Sequence, residues 1–172
     1  MSAQSDRPGA GDFDFFVGRW RVHHRRLNER LAGCKDWTEF MGLCDTRKIL
    51  DGLGNIDDNL LELPGDTYRA VTLRTYNPKT QQWAIWWLDG RNPSALDPPM
   101  VGRFENAVGT FYANDTLKGH PIRVRFLWTM PAADRPRWEQ AFSADDGATW
   151  ETNWIMDFTR DDESRFSQGE NK

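Results

Sequence analysis

Cysteine is scarce in this chain. Only Cys34 and Cys44 occur, with no Cys-x-x-Cys and no histidine at metal-ligand spacing. This leaves no metal site and no disulfide framework to build on, although a bond between the two is chemically open. Histidine is almost as rare, with three residues. There is no glycine-rich phosphate loop, no His-Glu-x-x-His, no Gly-x-Ser-x-Gly and no kinase set, so the common hydrolase and phosphoryl-transfer chemistries have no carrier. Cationic excess is missing too. The formal net charge is −4, which argues against nucleic-acid binding. The one basic stripe, Arg19, Arg21, Arg25 and Arg26, reads as a solvated strand face. No apolar run is long enough to cross a bilayer, and "MSAQSDRPGAGD" has no apolar h-region. The expectation is a cytoplasmic protein with reduced thiols and no membrane partner.

Aromatic residues are abundant by contrast. Nine Trp and ten Phe stand among 172 residues, enough to build a core from few side chains. The dominant pattern has period two. In Thr149–Thr159, Trp150, Thr152, Trp154, Met156 and Phe158 share one face, and Glu151, Asn153, Asp157 and Thr159 the other. Ile122, Val124, Phe126, Trp128 and Met130 alternate with Arg123, Arg125 and Thr129, and Trp138, Gln140 and Phe142 with Arg137, Glu139 and Ala141. Such strands have one wet face and one face in a core. Turn signals at Asn77–Thr80, Asp145–Gly147 and Gly52–Gly54 separate further strands at 66–76, 81–88 and 56–61. The spacing predicts an all-β fold, a single antiparallel up-and-down barrel of about ten strands. The sole helical candidate is a short plug at 12–17, with Asp12 as its cap. Residues 1–11 read as a disordered leader, 12–160 as the barrel and 161–172 as a flexible tail. The proline-rich stretch Asp89–Met100 reads as a loop at one rim.

The stretch "DFDFFVGRWRVHHRRL" explains how such a barrel would be closed at one end. Phe13, Phe15 and Phe16 would cover the opening, Gly18 would permit a sharp turn into the first strand, and Trp20 would point into the floor. Val22, His24 and Arg26 share the face of Trp20 and would climb toward the mouth. "VGRW" in this position resembles the Gly-x-Trp signature of the calycin superfamily, which includes the lipocalins and fatty-acid-binding proteins. In lipocalins a basic residue beyond the last strand packs across that Trp, and Arg160 in "NWIMDFTR" stands in the matching place. With "VGRFENAVGTFY" and "RWEQAFSADDGATWETNW", the chain is similar to a bacterial family of lipocalin-like barrels over residues 12–160. The resemblance implies a β-barrel with a central cavity and no established reaction, with Gly18, Trp20 and Arg160 as its structural signature.

Other signals have plainer readings. "SADDGATW" fits the Asp-box of sialidases, but one copy in a chain too short for a propeller is a hairpin device, in which Trp150 would dock in the core. Haem is bound by one related bacterial barrel family, but the additional glycines and the C-terminal histidine of that family are missing, so no cofactor is expected. His24 and Arg26 could bind an anionic head group, or one of them could pair with Glu39 inside the barrel. The expected cavity lining is His24, Arg26, Glu39, Trp86, Trp128, Gln140 and Trp154. Trp83, Trp86 and Trp87 form a cluster of which one side faces outward, and an exposed remnant would favour a homodimer. The leading expectation is a binding barrel for a small, largely apolar or amphipathic molecule. A barrel enzyme for cyclisation or isomerisation, and a packed barrel acting in protein association, are the alternatives.

Overall fold

A computed structural model of the chain describes residues 7–162. Ten strands follow one another: β1 (Gly18–Leu27), β2 (Trp37–Ile49), β3 (Gly54–Leu63), β4 (Asp66–Asn77), β5 (Gln82–Asp89), β6 (Met100–Glu105), β7 (Val108–Leu117), β8 (His120–Ala132), β9 (Arg135–Ser143) and β10 (Glu151–Arg160). Each pairs with the next, and β1 pairs with β10, so the sheet is a closed barrel. The pairing is antiparallel throughout, consistent with a lipocalin-like fold. Closure pairs every strand on both sides, though β5 and β6 meet over only a short stretch. No helix among the described residues is long and apolar enough to cross a membrane.

Trp20 on β1 pairs with Arg160 on one side and Cys44 on the other, which fixes the register of the closure. The floor lies where β1 begins and β10 ends. The expected helical plug is a correction: only a single 3₁₀ turn, Asp14–Phe16, stands there. Phe13, not Asp12, precedes it, and no side chain caps it. Three residues are too few to propagate an α-helix, and the turn is held by rings instead. Phe16 stacks on Trp20 at 5.6 Å and meets Trp128 and Phe158 edge-on at 4.7 and 4.9 Å. Phe13 packs against Trp83, Phe104 and Phe111. Of the segment read as a leader, residues 1–6 lie outside the described residues. Residues 7–11 turn under the floor, where Gly9 accepts the Trp83 indole N–H at 3.2 Å and Pro8 accepts the Tyr76 hydroxyl. Asp161, the first residue of the expected tail, is buried and accepts Arg21 at 3.2 Å; residues 163–172 lie outside the described residues.

Two departures from simple alternation have one physical cause each. In β10 a bulge between Thr152 and Trp154 shifts the register against β9, and an extra residue in one strand reverses the facing of everything before it. Asn153, expected in water, is therefore fully buried beside Trp154. Trp150, expected in the core, lies outside, with Arg125 4.6 Å above its ring and Tyr112 at 6.0 Å. The hairpin before it is built as the Asp-box reading requires: the Asp145 carboxylate accepts the Thr149 N–H and hydroxyl at 2.8 and 2.6 Å, and Gly147 has φ +92°. The second departure is the seam between β5 and β6, where only Trp83, Ile85 and the Ala84 between them find partners. Above it the chain between Asp89 and Met100 leaves the sheet and lies at the mouth, tied back by the Leu88–Leu96 bridge, by the Gly90 N–H to the Arg69 carbonyl at 2.8 Å and by the Arg91–Asp66 ion pair.

Candidate functional site

The barrel encloses one cavity of about 400 Å³ that runs from the mouth to the floor turn. This falls within the roughly 300–1,000 Å³ usual for small-molecule sites. Its walls are the inward faces of the alternating strands: Trp87, Phe126, Trp138, Phe142, Trp154 and Met156. Trp138 and Trp154 meet edge-on at 5.6 Å, and Trp87 meets Trp154 at 6.0 Å. The result is an aromatic sleeve.

Polar groups cluster at two levels. At the floor end Arg74 on β4 and Asp57 on β3 form a buried ion pair at 2.6 Å. The Asp57 carboxylate also accepts the Asn59 amide at 2.6 Å and the Thr72 N–H at 3.0 Å, and Arg74 also donates to Asn55 at 2.9 Å. Phe13, Phe16 and Trp128 surround the guanidinium at 5.1–5.6 Å. A buried charge survives only when paired in this way. At the mouth stand Arg26, at the end of β1, Arg30 beyond it, and Arg91 in the rim loop. Arg91 is paired with Asp89 and Asp66 and lies 3.6 Å over the Tyr68 ring. Arg26 lies 4.7 Å over Trp154, and Arg30 reaches the Phe142 ring at 6.0 Å. Among the described residues neither Arg26 nor Arg30 forms an ion pair. The Arg30 Nε is buried without an acceptor. Burial, and then the positive charge of Arg26, push the Arg30 pKa down to about 10. Glu151, the nearby acid, accepts the Leu31 N–H at 2.7 Å.

Across the mouth Asp89, Asp97 and Asp115 border the same opening. Burial, and then the charges of Asp115 and Asp89, raise the Asp97 pKa. Among the described residues no group of three or more His, Cys, Asp or Glu is placed to hold a metal ion.

The structure sorts the sequence-derived lining into two groups. Arg26, Trp128, Gln140 and Trp154 border the cavity. The Gln140 amide nitrogen donates to the Asn153 side-chain carbonyl oxygen at 2.8 Å. His24, Glu39 and Trp86 do not border it. His24 is buried within the wall: its ring stacks on Phe40 at 4.5 Å, and its Nδ1 accepts the Trp154 indole N–H at 3.2 Å. Gly42 makes room for this ring, because a Cβ there would stand 2.7 Å from the imidazole. Burial, then His23 and Arg26, hold the His24 pKa down at about 3, so it is a neutral wall group and not a cationic anchor. Glu39 is a correction: it lies on the outer face, bonded to His23 at 2.9 Å, because β2 presents Phe40 inward at the level where Glu39 was expected. Trp86 is a second correction. Trp83, Ile85 and Trp87 face in, so alternation turns Trp86 out.

The floor signature is assembled from three elements. Trp20 is fully buried and donates its indole N–H to Phe16 at 2.8 Å. The Arg160 guanidinium lies 3.7 Å over the Trp20 ring and donates to the carbonyls of Val17 and Phe15 at 2.6 and 3.0 Å. Gly18 has φ +118°, and a Cβ there would meet Arg160 at 2.6 Å.

Sequence reasoning missed Arg30, Arg74, Asp57 and Trp87. A signal existed for two of them. Arg74 shares its face of β4 with Tyr68, Ala70, Thr72 and Tyr76, and Asp57 shares its face of β3 with Leu61. A charge on an apolar face is a buried pair awaiting its partner. Arg30 lies between strands, where no period places it. No protein-family model matches the chain, and no curated protein matches it.

Proposed function

We propose that the protein is a small-molecule carrier or sensor barrel that holds an amphipathic ligand, apolar body inward and anionic head at the mouth. One observation carries this reading: Arg26 and Arg30 stand at the opening of an aromatic cavity and, among the described residues, neither forms an ion pair, Asp89 and Glu151 acting on them only through space. Two guanidiniums that repel one another while partly buried are stabilised by a shared carboxylate or similar anion, which can accept from both. The aromatic sleeve supplies the apolar contact, and Gln140 a polar group in its wall. The closed topology and the Trp20–Arg160 stack support a place among the calycins. The reading places the protein in the cytoplasm, where the two free thiols stay reduced.

The test is calorimetry with a ten-carbon fatty acid and the matching alcohol. The carboxylate should bind about 10–100-fold tighter, as a charge-assisted contact of about 1.5–3 kcal/mol requires. The Arg26→Ala, Arg30→Ala double variant should abolish the difference. Equal affinities for acid and alcohol would overturn the reading.

A further inference from the structure

The cavity has a second polar end that the mouth reading does not use. At its floor the Arg74 Nε and the Trp128 Nε1 are buried donors with no hydrogen-bond partner among the described residues. Both side chains border the cavity, and both are more than nine-tenths buried, at 4% and 2% exposure. They are neighbours, with the Arg74 guanidinium carbon 5.6 Å from the Trp128 ring centre. Acceptors in the same cluster are already engaged: both Asp57 oxygens and the Asn55 carbonyl receive protein N–H groups. The floor therefore has donors to spare and no matching acceptors. Buried donors left unpaired are costly, and a native site tends to supply their partner.

Charge decides the kind of partner. Asp57 already neutralises Arg74 at 2.6 Å. A second carboxylate at the floor would stand against Asp57 in a setting that excludes water, where like charges repel strongly. An uncharged oxygen meets no such penalty. We infer that the floor is a subsite for a neutral acceptor oxygen, such as a ketone, amide or ester carbonyl, received by Arg74 and Trp128. Taken with the proposed mouth, on which this deepening rests, the ligand class is two-ended: an anion at one end of an apolar chain and a carbonyl at the other. Six strand steps along β4 carry the chain from Tyr68 at the mouth to Arg74 at the floor, roughly 20 Å at about 3.3 Å per residue, the length of an extended chain of about sixteen carbons.

Four sixteen-carbon probes test the two ends separately: hexadecanoate, hexadecanol, and the counterpart of each with a ketone beside the terminal methyl. In the wild-type protein the ketone should tighten binding about tenfold in both the acid and the alcohol. In Trp128→Phe, which keeps an aromatic ring and removes the N–H, that gain should fall to about threefold or less. As a second readout that needs no variant, the infrared stretch of a carbon-13-labelled ketone should shift to lower frequency on binding wild type, relative to the same ketone in alkane solvent. A ketone gain with no carboxylate gain would sink the mouth reading and keep the floor. A carboxylate gain with no ketone gain, or an alkane-like carbonyl stretch, would sink the floor and keep the mouth. No binding by any probe would sink both.

Discussion

At the floor, Trp20 gives its N–H to Phe16 and its ring face to Arg160, and Arg160 in turn satisfies two backbone carbonyls. At the mouth, Arg26 and Arg30 rest against aromatic rings and form no ion pair among the described residues, and the rim between Asp89 and Met100 is held to the sheet by one β-bridge, the Gly90 N–H to Arg69 and the Arg91–Asp66 pair. The same ten strands run through both ends. The Trp20–Arg160 seam at the floor is satisfied locally and packed ring on ring, with the Arg74 Nε and Trp128 Nε1 left over beside it; the mouth keeps charge in reserve. The difference teaches where substitution should cost stability and where it should cost binding.

The largest effect should come from breaking the floor. Trp20→Ala removes a fully buried indole and should cost about 3–5 kcal/mol in denaturant unfolding. A loss below about 1 kcal/mol would mean the floor is not what holds the barrel shut. An intermediate effect should come from the wall that joins the ends. His24 has a folded pKa of about 3 against an ordinary value of about 6.5. Between those values the unfolded chain binds a proton that the folded one excludes. Stability from this group is intact above about pH 6.5 and falls by up to about 1.4 kcal/mol for each pH unit below it. Urea midpoints measured at stepwise lower pH should diverge between wild type and His24→Gln, which keeps an acceptor for the Trp154 N–H; parallel curves would reject the assignment. The smallest stability effect should come from the mouth. Arg30→Ala should move the unfolding free energy by less than about 0.5 kcal/mol, since it also relieves repulsion with Arg26. A large destabilisation there would erase the contrast between the two ends.

Much of this architecture is written in the alternation. The barrel, its number of strands and the rim loop follow from period-two patterns and turn residues, because in a closed antiparallel sheet burial and facing are the same variable. The segment 12–17 reads as a helical plug because Asp12 could cap a turn there; packing of Phe13 and Phe16 against Trp83 and Trp20 holds it as a single uncapped 3₁₀ turn instead. The cavity lining was harder to read. Trp86 and Trp87 are adjacent, so a shift of one residue exchanges them. The bulge at Thr152–Trp154 carries no local signature that would have moved Trp150 outside and Asn153 inside. Arg74 and Asp57 are 17 residues apart on neighbouring strands, and their pairing depends on a register that turn lengths set only approximately.

The seam between β1 and β10 has a consequence for biosynthesis. Trp20 and Arg160 are register partners although 140 residues separate them. While the ribosome is still translating residues before about 150, the first strand can pair on one side alone, with β2. Its other flank stays open, and so does the growing end of the sheet, which is the condition under which strands from different nascent chains recognise one another. Because β1 and β10 are register partners, the barrel cannot close until β10 has been synthesised.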